Sequence, residues 1–148
     1  MRISVPKIMR PIDLADYAPE LVRPDGKPAL VWVWVNPPRD LMDRRSRQIQ
    51  VGADAYRTLA GSLPAAGGQT LTDDQRRRIM SDLHATGLEM ASWFAEIWSQ
   101  HSDAETHWTT DDVTTLGINE TDPSLYPWLQ RRTLQLIHEH RDAEKKRP

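Results

Sequence analysis

The sequence predicts an α+β fold that is predominantly helical, with a small N-terminal β-hairpin element followed by about four helices. The strand prediction rests on residues 29–38, ALVWVWVNPP, a run of valines and tryptophans that ends at two prolines. The helix prediction rests on later segments that open with proline or with a threonine cap and carry apolar residues at helical spacing. At 148 residues the chain is expected to form a single domain.

The β element is expected within residues 1–36. Residues 24–26, PDG, predict a turn, because proline presets φ and glycine accepts the exit geometry. The strand that pairs antiparallel with 29–35 is either Ile12–Leu14 or Leu21–Arg23. Nearby prolines restrict that partner to a short edge segment, so we expect a hairpin or a three-stranded piece.

The first two helices are expected over residues 37–60 and from Thr72 to Gln100. Pro37 and Pro38 end the strand and suit the start of a helix, and Gly52 weakens its middle. Residues 61–70 form a flexible connection, and residues 71–142 form the remaining helical part. The second helix shows a narrow apolar seam formed by Met80, Leu83, Gly87, Met90, Phe94 and Ile97.

Two shorter signals predict the remaining helices. A third helix opens at Thr109 or Thr110 with aspartates in its first turn, where the helix dipole favours carboxylates. The last helix is expected to begin at Asp122-Pro123 and to be followed by a charged tail over residues 143–148. Its buried side chains are expected to be Leu125, Trp128, Leu129, Leu136 and Ile137.

Catalytic, cofactor-binding and metal-binding signatures are not recognisable. The chain has no cysteine, which excludes disulfides and thiolate chemistry. His101 and His107 flank a loop with Asp103 and Glu105, an arrangement that a solvated acidic loop explains better than a metal site. We therefore expect no enzyme activity and no cofactor. The net charge of −2 and the scattered arginine clusters, which solvated helix faces explain, predict neither nucleic acid nor a membrane as a partner.

The apolar strand is the strongest candidate for a contact surface. Valines and tryptophans alternate along it and therefore face opposite sides of the sheet. One interpretation places Trp32 and Trp34 in the core with the valines half exposed, and the other makes the tryptophan side a subunit or partner surface. A small sheet leaves one apolar side to be covered by association. The candidate partner-binding residues are Val31, Trp32, Val33, Trp34, Val35, Pro37 and Pro38.

The order of several segments resembles the tail assembly chaperones of long-tailed bacteriophages. These segments are IDLADY (12–17), VWVNPPR (33–39), WFAEIWSQ (93–100), DAETHWT (103–109) and DPSLYPWLQRRTLQLIHEHR (122–141). The resemblance implies a non-enzymatic helper in the host cytoplasm that binds the tape measure protein and keeps it soluble while the tail tube assembles. It also implies self-association and absence from the mature virion.

The same family commonly makes a longer second product by a −1 ribosomal frameshift. Glu144, Lys145 and Lys146 can be encoded by a slippery heptamer, although an ordinary charged C-terminus is the better explanation of these residues. The resemblance thus implies contact with the tail tube protein through an extended product. The alternative function is a structural virion component, such as a head–tail connector or a tail terminator subunit, that uses the apolar strand for ring assembly.

Overall fold

The computed structural model describes residues 5–62, 70–103, 106–119 and 121–147. Within these ranges the chain divides into two compact units, where the sequence predicts one domain. The first unit, the sheet unit, combines residues 1–38 with 94–148, and the second, the hairpin unit, comprises residues 39–93. The four helices and a small three-stranded antiparallel sheet confirm the predicted α+β class with helices predominant. Most of the predicted flexible connection, residues 63–69, lies outside the described residues.

The sheet has the order β1 (Met9–Asp13), β2 (Leu30–Trp34) and β3 (Trp98–Ser99), and both pairs are antiparallel. The expected turn is present, since the Gly26 amide donates to the Arg23 carbonyl at 2.9 Å and Gly26 has a φ of 80°. Of the two candidate partners, the segment at Ile12–Leu14 pairs with β2, whereas Leu21–Arg23 makes only a single bridge to Pro28, which lies before that strand. Ile12 pairs with Val31 inside the sheet, and Val22 forms an isolated bridge with Pro28.

Strand β1 lies at the edge of the sheet, and a proline sits where the edge is open. The Val35 amide donates to the Ile8 carbonyl and the Leu14 amide to the Ala29 carbonyl, both at 3.0 Å. In an antiparallel ladder these bonds recur at every second residue, so the backbone of Pro11 faces away from β2. Proline has no N–H to offer at that position, and the free edge is therefore a poor template for a further strand.

The valine side of β2, and not the tryptophan side, belongs to the core. Val31, Val33 and Val35 are at most 1% exposed, whereas Trp32 and Trp34 are half-buried. The interpretation that places the tryptophans in the core is therefore wrong. The β-branched side chains are small enough to lie flat under α4 (Leu125–Lys145), which contacts both β1 and β2.

Trp98 organises the core of the sheet unit. The sequence places this residue in the second helix, but the helix ends at Ile97 and Trp98 enters β3 opposite Val33. Its indole N–H donates to the Thr133 hydroxyl of α4 at 2.9 Å, and its ring meets the edges of Trp108 and Tyr126. The aromatic cluster therefore ties β3 to the last helix.

The last two helices complete the sheet unit. Helix α3 (Thr110–Gly117) begins with Thr109 as its cap, as predicted. Helix α4 begins later than predicted, because Ser124 and not Asp122 is its cap residue and offers no side-chain hydrogen bond. The helix continues to Lys145, into the segment expected to be a charged tail. Its buried residues are Leu125, Leu129, Thr133, Leu136 and Ile137.

The hairpin unit consists of α1 (Arg39–Gly61) and α2 (Asp73–Ile97), of which the last turn of α2 belongs to the sheet unit. The Trp93 indole N–H donates to the Leu41 carbonyl at 2.8 Å, and a Cβ on Gly52 would lie 3.1 Å from the Thr86 methyl group. The start of α1 thus contacts the end of the hairpin part of α2, so the helices run antiparallel. Helix α1 continues through Gly52 without a break.

On each of the two helices a line of buried or half-buried positions recurs at alternating steps of four and three residues, and we call it the inner line. On α1 it comprises Leu41, Arg45, Gln48, Gly52, Ala55 and Leu59, and on α2 it comprises Ile79, Leu83, Thr86, Met90 and Trp93, all of them buried or half-buried. The predicted seam is wrong at Met80 and Gly87, which are exposed, and its other four members are buried or half-buried. The position of the partner helix decides which of two adjacent apolar stripes is buried.

We expect Tyr17 to ionise at a higher pH than an ordinary tyrosine, and its hydrogen bond to stabilise the fold only while the hydroxyl keeps its proton. Its hydroxyl donates to the Asp122 carboxylate at 2.6 Å, and this hydrogen bond raises the pKa of Tyr17 above the ordinary value of 10.0. Because the pKa of Tyr17 is raised in the folded protein, the hydrogen bond stabilises the fold fully at pH values below the ordinary tyrosine pKa. This stabilisation is lost as the pH rises through the pKa of Tyr17 in the folded protein. Phenolate absorbance during alkaline titration should show one late-ionising tyrosine that Tyr17→Phe removes.

The matched control for this titration is Asp122→Asn, which keeps the tyrosine but removes the carboxylate charge. This variant should bring the late ionisation back toward the ordinary range. The tyrosine that disappears from the titration in Tyr17→Phe should have a pKa above the ordinary tyrosine value. A pKa at or below that value would contradict the proposed effect of the Asp122 hydrogen bond.

Candidate partner-binding surface

The predicted partner-binding residues separate into buried and accessible groups. The valines of that set lie inside the sheet unit, so in this conformation they are closed to a partner. Trp32, Trp34 and Pro37 are half-buried and Pro38 is exposed. The accessible part of the predicted surface is therefore the tryptophan side of β2 and the segment that follows it.

Trp34 is largely occupied by contacts within the sheet unit. The Lys7 ammonium lies 4.2 Å from the centre of the Trp34 ring, a cation–π geometry. Asn36 fixes the N-terminal segment, since its side chain accepts from the Ile8 amide at 2.8 Å and donates to the Pro6 carbonyl at 3.0 Å. Trp34 thus has less free surface than the strand pattern suggests.

Trp32 lines an open groove of about 540 Å³. Its other apolar walls are Pro28, Ala29 and Leu30, and Arg23, His101 and Ser102 supply polar groups. Trp32 stands opposite Pro11 in the sheet, so the ring lies next to the free edge strand. We call this concave region the strand groove.

A second groove of about 560 Å³ is formed mainly by α3 and the segment before it. Trp108, Leu116 and Ile118 line it, and Ile118 is 71% exposed. Gln100 lines both this helix groove and the strand groove, so the two share a wall. The sequence analysis missed the helix groove, although Ile118, an isolated apolar residue after a helix-ending glycine, was a usable signal.

The end of α3 that borders the helix groove is held firmly. Thr109 and Asp112 form a reciprocal capping box with bonds of 2.9 and 3.1 Å. The Thr109 backbone N–H is the main cause that lowers the pKa of Asp112. Because the pKa of Asp112 is lowered in the folded protein, the capping box stabilises the fold at pH values above the ordinary carboxyl pKa. This stabilisation is lost only as the pH falls through the pKa of Asp112 in the folded protein. The cap is therefore intact at neutral pH.

The loop flanked by His101 and His107 was considered as a metal site from the sequence, and the structure describes only part of it. Glu105 lies outside the described residues, and the Nδ1 atom of His107 lies 3.0 Å from the Trp108 carbonyl oxygen. Among the described residues no group of three or more His, Asp or Glu side chains is placed to hold a metal ion. None of the helices in the described ranges is both long and apolar enough to cross a bilayer.

We expect opposite consequences for substitutions on the two sides of β2. Val33→Asp places an unpaired carboxylate in a fully buried site and should cost at least about 4 kcal/mol of the free energy of unfolding. Trp32→Asp changes a half-buried groove residue and should cost less than half of that. Urea denaturation followed by circular dichroism measures both values. Equal losses for the two variants would contradict the assignment of the valine side to the core.

Comparison with models of protein families, with curated proteins and with solved structures found no match. The functional assignment consequently depends on the residues of this chain and on the surfaces they form. The two grooves of the sheet unit and the exposed faces of the hairpin unit are the regions where a partner could contact the chain.

Proposed function

We propose that this chain is a non-enzymatic tail assembly chaperone of a long-tailed bacteriophage. In this role it binds the tape measure protein and keeps it soluble in the cytoplasm of the infected cell while the tail tube assembles. The supporting observation is that the segments carrying the resemblance, although far apart in sequence, converge in the sheet unit. Four of the five contribute a side chain to a specific contact with another, and Val33 of the fifth pairs with Trp98 in the sheet.

Three contacts connect these segments. Tyr17 of IDLADY donates to Asp122 of DPSLYPW at 2.6 Å. Trp98 of WFAEIWSQ donates to Thr133 of the last segment at 2.9 Å, and its ring lies 5.4 Å from that of Trp108 in DAETHWT. Residues that look unrelated along the chain therefore depend on one another, as expected if the resemblance reflects a shared fold.

The exposed surface supports a binding role. Among the described residues nine large apolar side chains are at least 40% exposed, in both units. The strand groove and the helix groove offer tryptophan walls beside isolated polar groups, which suits an apolar polypeptide segment better than a small charged ligand. A chaperone for a long, aggregation-prone protein needs such a surface, because it must compete with the association of apolar segments in its client.

The further features implied by the resemblance belong to the same proposal. The chain would be absent from the mature virion, and an extended frameshifted product would contact the tail tube protein. The coding DNA over Glu144–Lys146 tests the second point directly. A slippery heptamer with an open −1 frame beyond it supports the extended product, and the lack of either removes it.

We expect co-expression with the tape measure protein of the same phage to raise the soluble fraction of that protein. Ile118→Glu should reduce the rescue at least about threefold, because a carboxylate in the helix groove would have to be desolvated on binding. The matched control is Val5→Glu, which changes a side chain of the same unit that is equally exposed, 73% against 71%. The measurement is the soluble fraction after centrifugation.

Two results would contradict the proposed function. One is a tape measure protein whose solubility is unchanged by the unaltered chain. The other is detection of this chain in purified virions at a stoichiometric level, which would favour the connector or terminator alternative. If rescue occurs but Ile118→Glu and Val5→Glu act alike, the chaperone role holds and the helix groove is not the contact.

A further inference from the structure

One edge of β2 has no partner strand over its first residues. The Ala29 carbonyl accepts from the Leu14 amide, so the backbone of Ala29 faces β1. Backbone groups alternate in direction along an antiparallel ladder, and the N–H and C=O groups of Leu30 therefore point to the opposite side, where β3 lies. Strand β3 pairs with β2 only through Trp32 and Val33. Among the described residues no strand lies beside the backbone of Leu30 on that side.

The unpaired backbone groups face the strand groove. The chain bends over residues 100–102, where a longer β3 would have continued, and Gln100 and His101 line the groove there. The Pro28 carbonyl points to the same side as the Leu30 groups, because it lies two residues earlier along the same extended segment. Within the described ranges no hydrogen bond is formed to any of these three groups. The groove thus holds one free donor and two free acceptors, and such an edge is a template for a further strand.

Apolar side chains follow the same stretch of the sheet. Pro28, Leu30 and Trp32 alternate with residues of the valine side and therefore share the tryptophan side. Val22, which forms a bridge with Pro28, is 46% exposed and continues this apolar row. A strand placed beside Leu30 would therefore have every second side chain next to an apolar surface, the arrangement by which a sheet recognises an added strand.

The charge of the strand groove is positive. Among the described residues that line it, Arg23 is the one member of the Asp, Glu, Lys and Arg group. Its guanidinium lies 3.5 Å from the Asp25 carboxylate, but both side chains are largely exposed, so this ion pair is weak. A segment that brings a carboxylate to Arg23 would be attracted to the groove, and one that brings a lysine or an arginine would be repelled.

We propose that the strand groove binds an extended segment of the tape measure protein, which pairs with β2 at Leu30 and places an acidic side chain beside Arg23. This inference rests on the proposed chaperone function and adds the conformation and the chemistry of the bound segment. Hydrogen bonds to the Leu30 backbone supply affinity, and the apolar row with Arg23 supplies specificity. A strand-forming segment held in this way cannot pair with a second copy of itself, which is the contact that leads to aggregation.

The probe is a set of overlapping peptides that cover the tape measure protein of the same phage. Fluorescence anisotropy measures their binding to the purified full-length chain, and the bound peptides should share alternating apolar residues with a nearby aspartate or glutamate. Methylating single backbone nitrogens of a bound peptide should weaken binding about tenfold at two positions that lie two residues apart. The nitrogen between them should tolerate the methyl group, because it faces away from β2.

Variants of the groove test the same contact from the other side. Leu30→Pro removes the free donor but no bond to β1, and it should weaken peptide binding at least about tenfold. Leu30→Ala keeps the donor and should weaken binding only about threefold through lost apolar contact. Arg23→Glu should weaken binding at least about fivefold. Its matched control is Arg10→Glu, at an exposed arginine of β1, which should leave binding unchanged. Circular dichroism checks the fold of each variant.

Three results would overturn this inference. They are equal affinities of Leu30→Pro and Leu30→Ala, loss of affinity on methylation of consecutive nitrogens as in a bound helix, and the absence of any bound peptide. If Leu30→Pro does not fold, the methylation pattern decides. Each of these results leaves the solubility rescue by the unaltered chain in place, since the helix groove could supply it. Failure of the chaperone function would differ, because the soluble fraction of the tape measure protein would then stay unchanged.

Discussion

The sheet unit depends on the position of Trp98. The residue leaves the helical conformation and pairs with Val33, which brings the end of α2 to the sheet. Its indole reaches Thr133 of α4, and its carbonyl accepts from the Trp108 amide at 2.8 Å. A single fully buried side chain thus links strand, loop and helix, and its N–H is satisfied, as a buried indole requires. Without this residue the valine side of β2 would lose one of its neighbours and the segment before α3 its anchor.

Local signals predicted the helices well. Thr72 and Gln75 form the expected reciprocal cap at the start of α2, with bonds of 2.9 and 3.1 Å, and the cap of α3 at Thr109 was also expected. These features depend on residues three positions apart, so the sequence contains all the information needed. The edge position of β1 was likewise predictable, because a proline excludes a central strand.

The features that sequence did not predict are decided by distant parts of the chain. Trp98 and Ser99 continue an apolar helical pattern, and only their pairing with residues more than 60 positions earlier makes them a strand. The side of β2 that faces the core depends on where α4 lies, since valines and tryptophans are both good strand residues. The buried stripe of α2 departs from the predicted seam at Met80 and Gly87, because the position of α1 selects the neighbouring residues Ile79 and Thr86 instead. The helix groove required a tertiary contact and had only Ile118 as a local signal.

The two units treat an apolar face in different ways. In the sheet unit the valine side is covered by the chain's own last helix, and the remaining tryptophan side is partly closed by Lys7 and by the loops around Trp32. A two-helix hairpin has no third layer, so burying one line of contact leaves further apolar residues on the surface. Five large apolar side chains of this unit are accordingly at least 43% exposed among the described residues, namely Ile49, Val51, Tyr56, Met80 and Leu88.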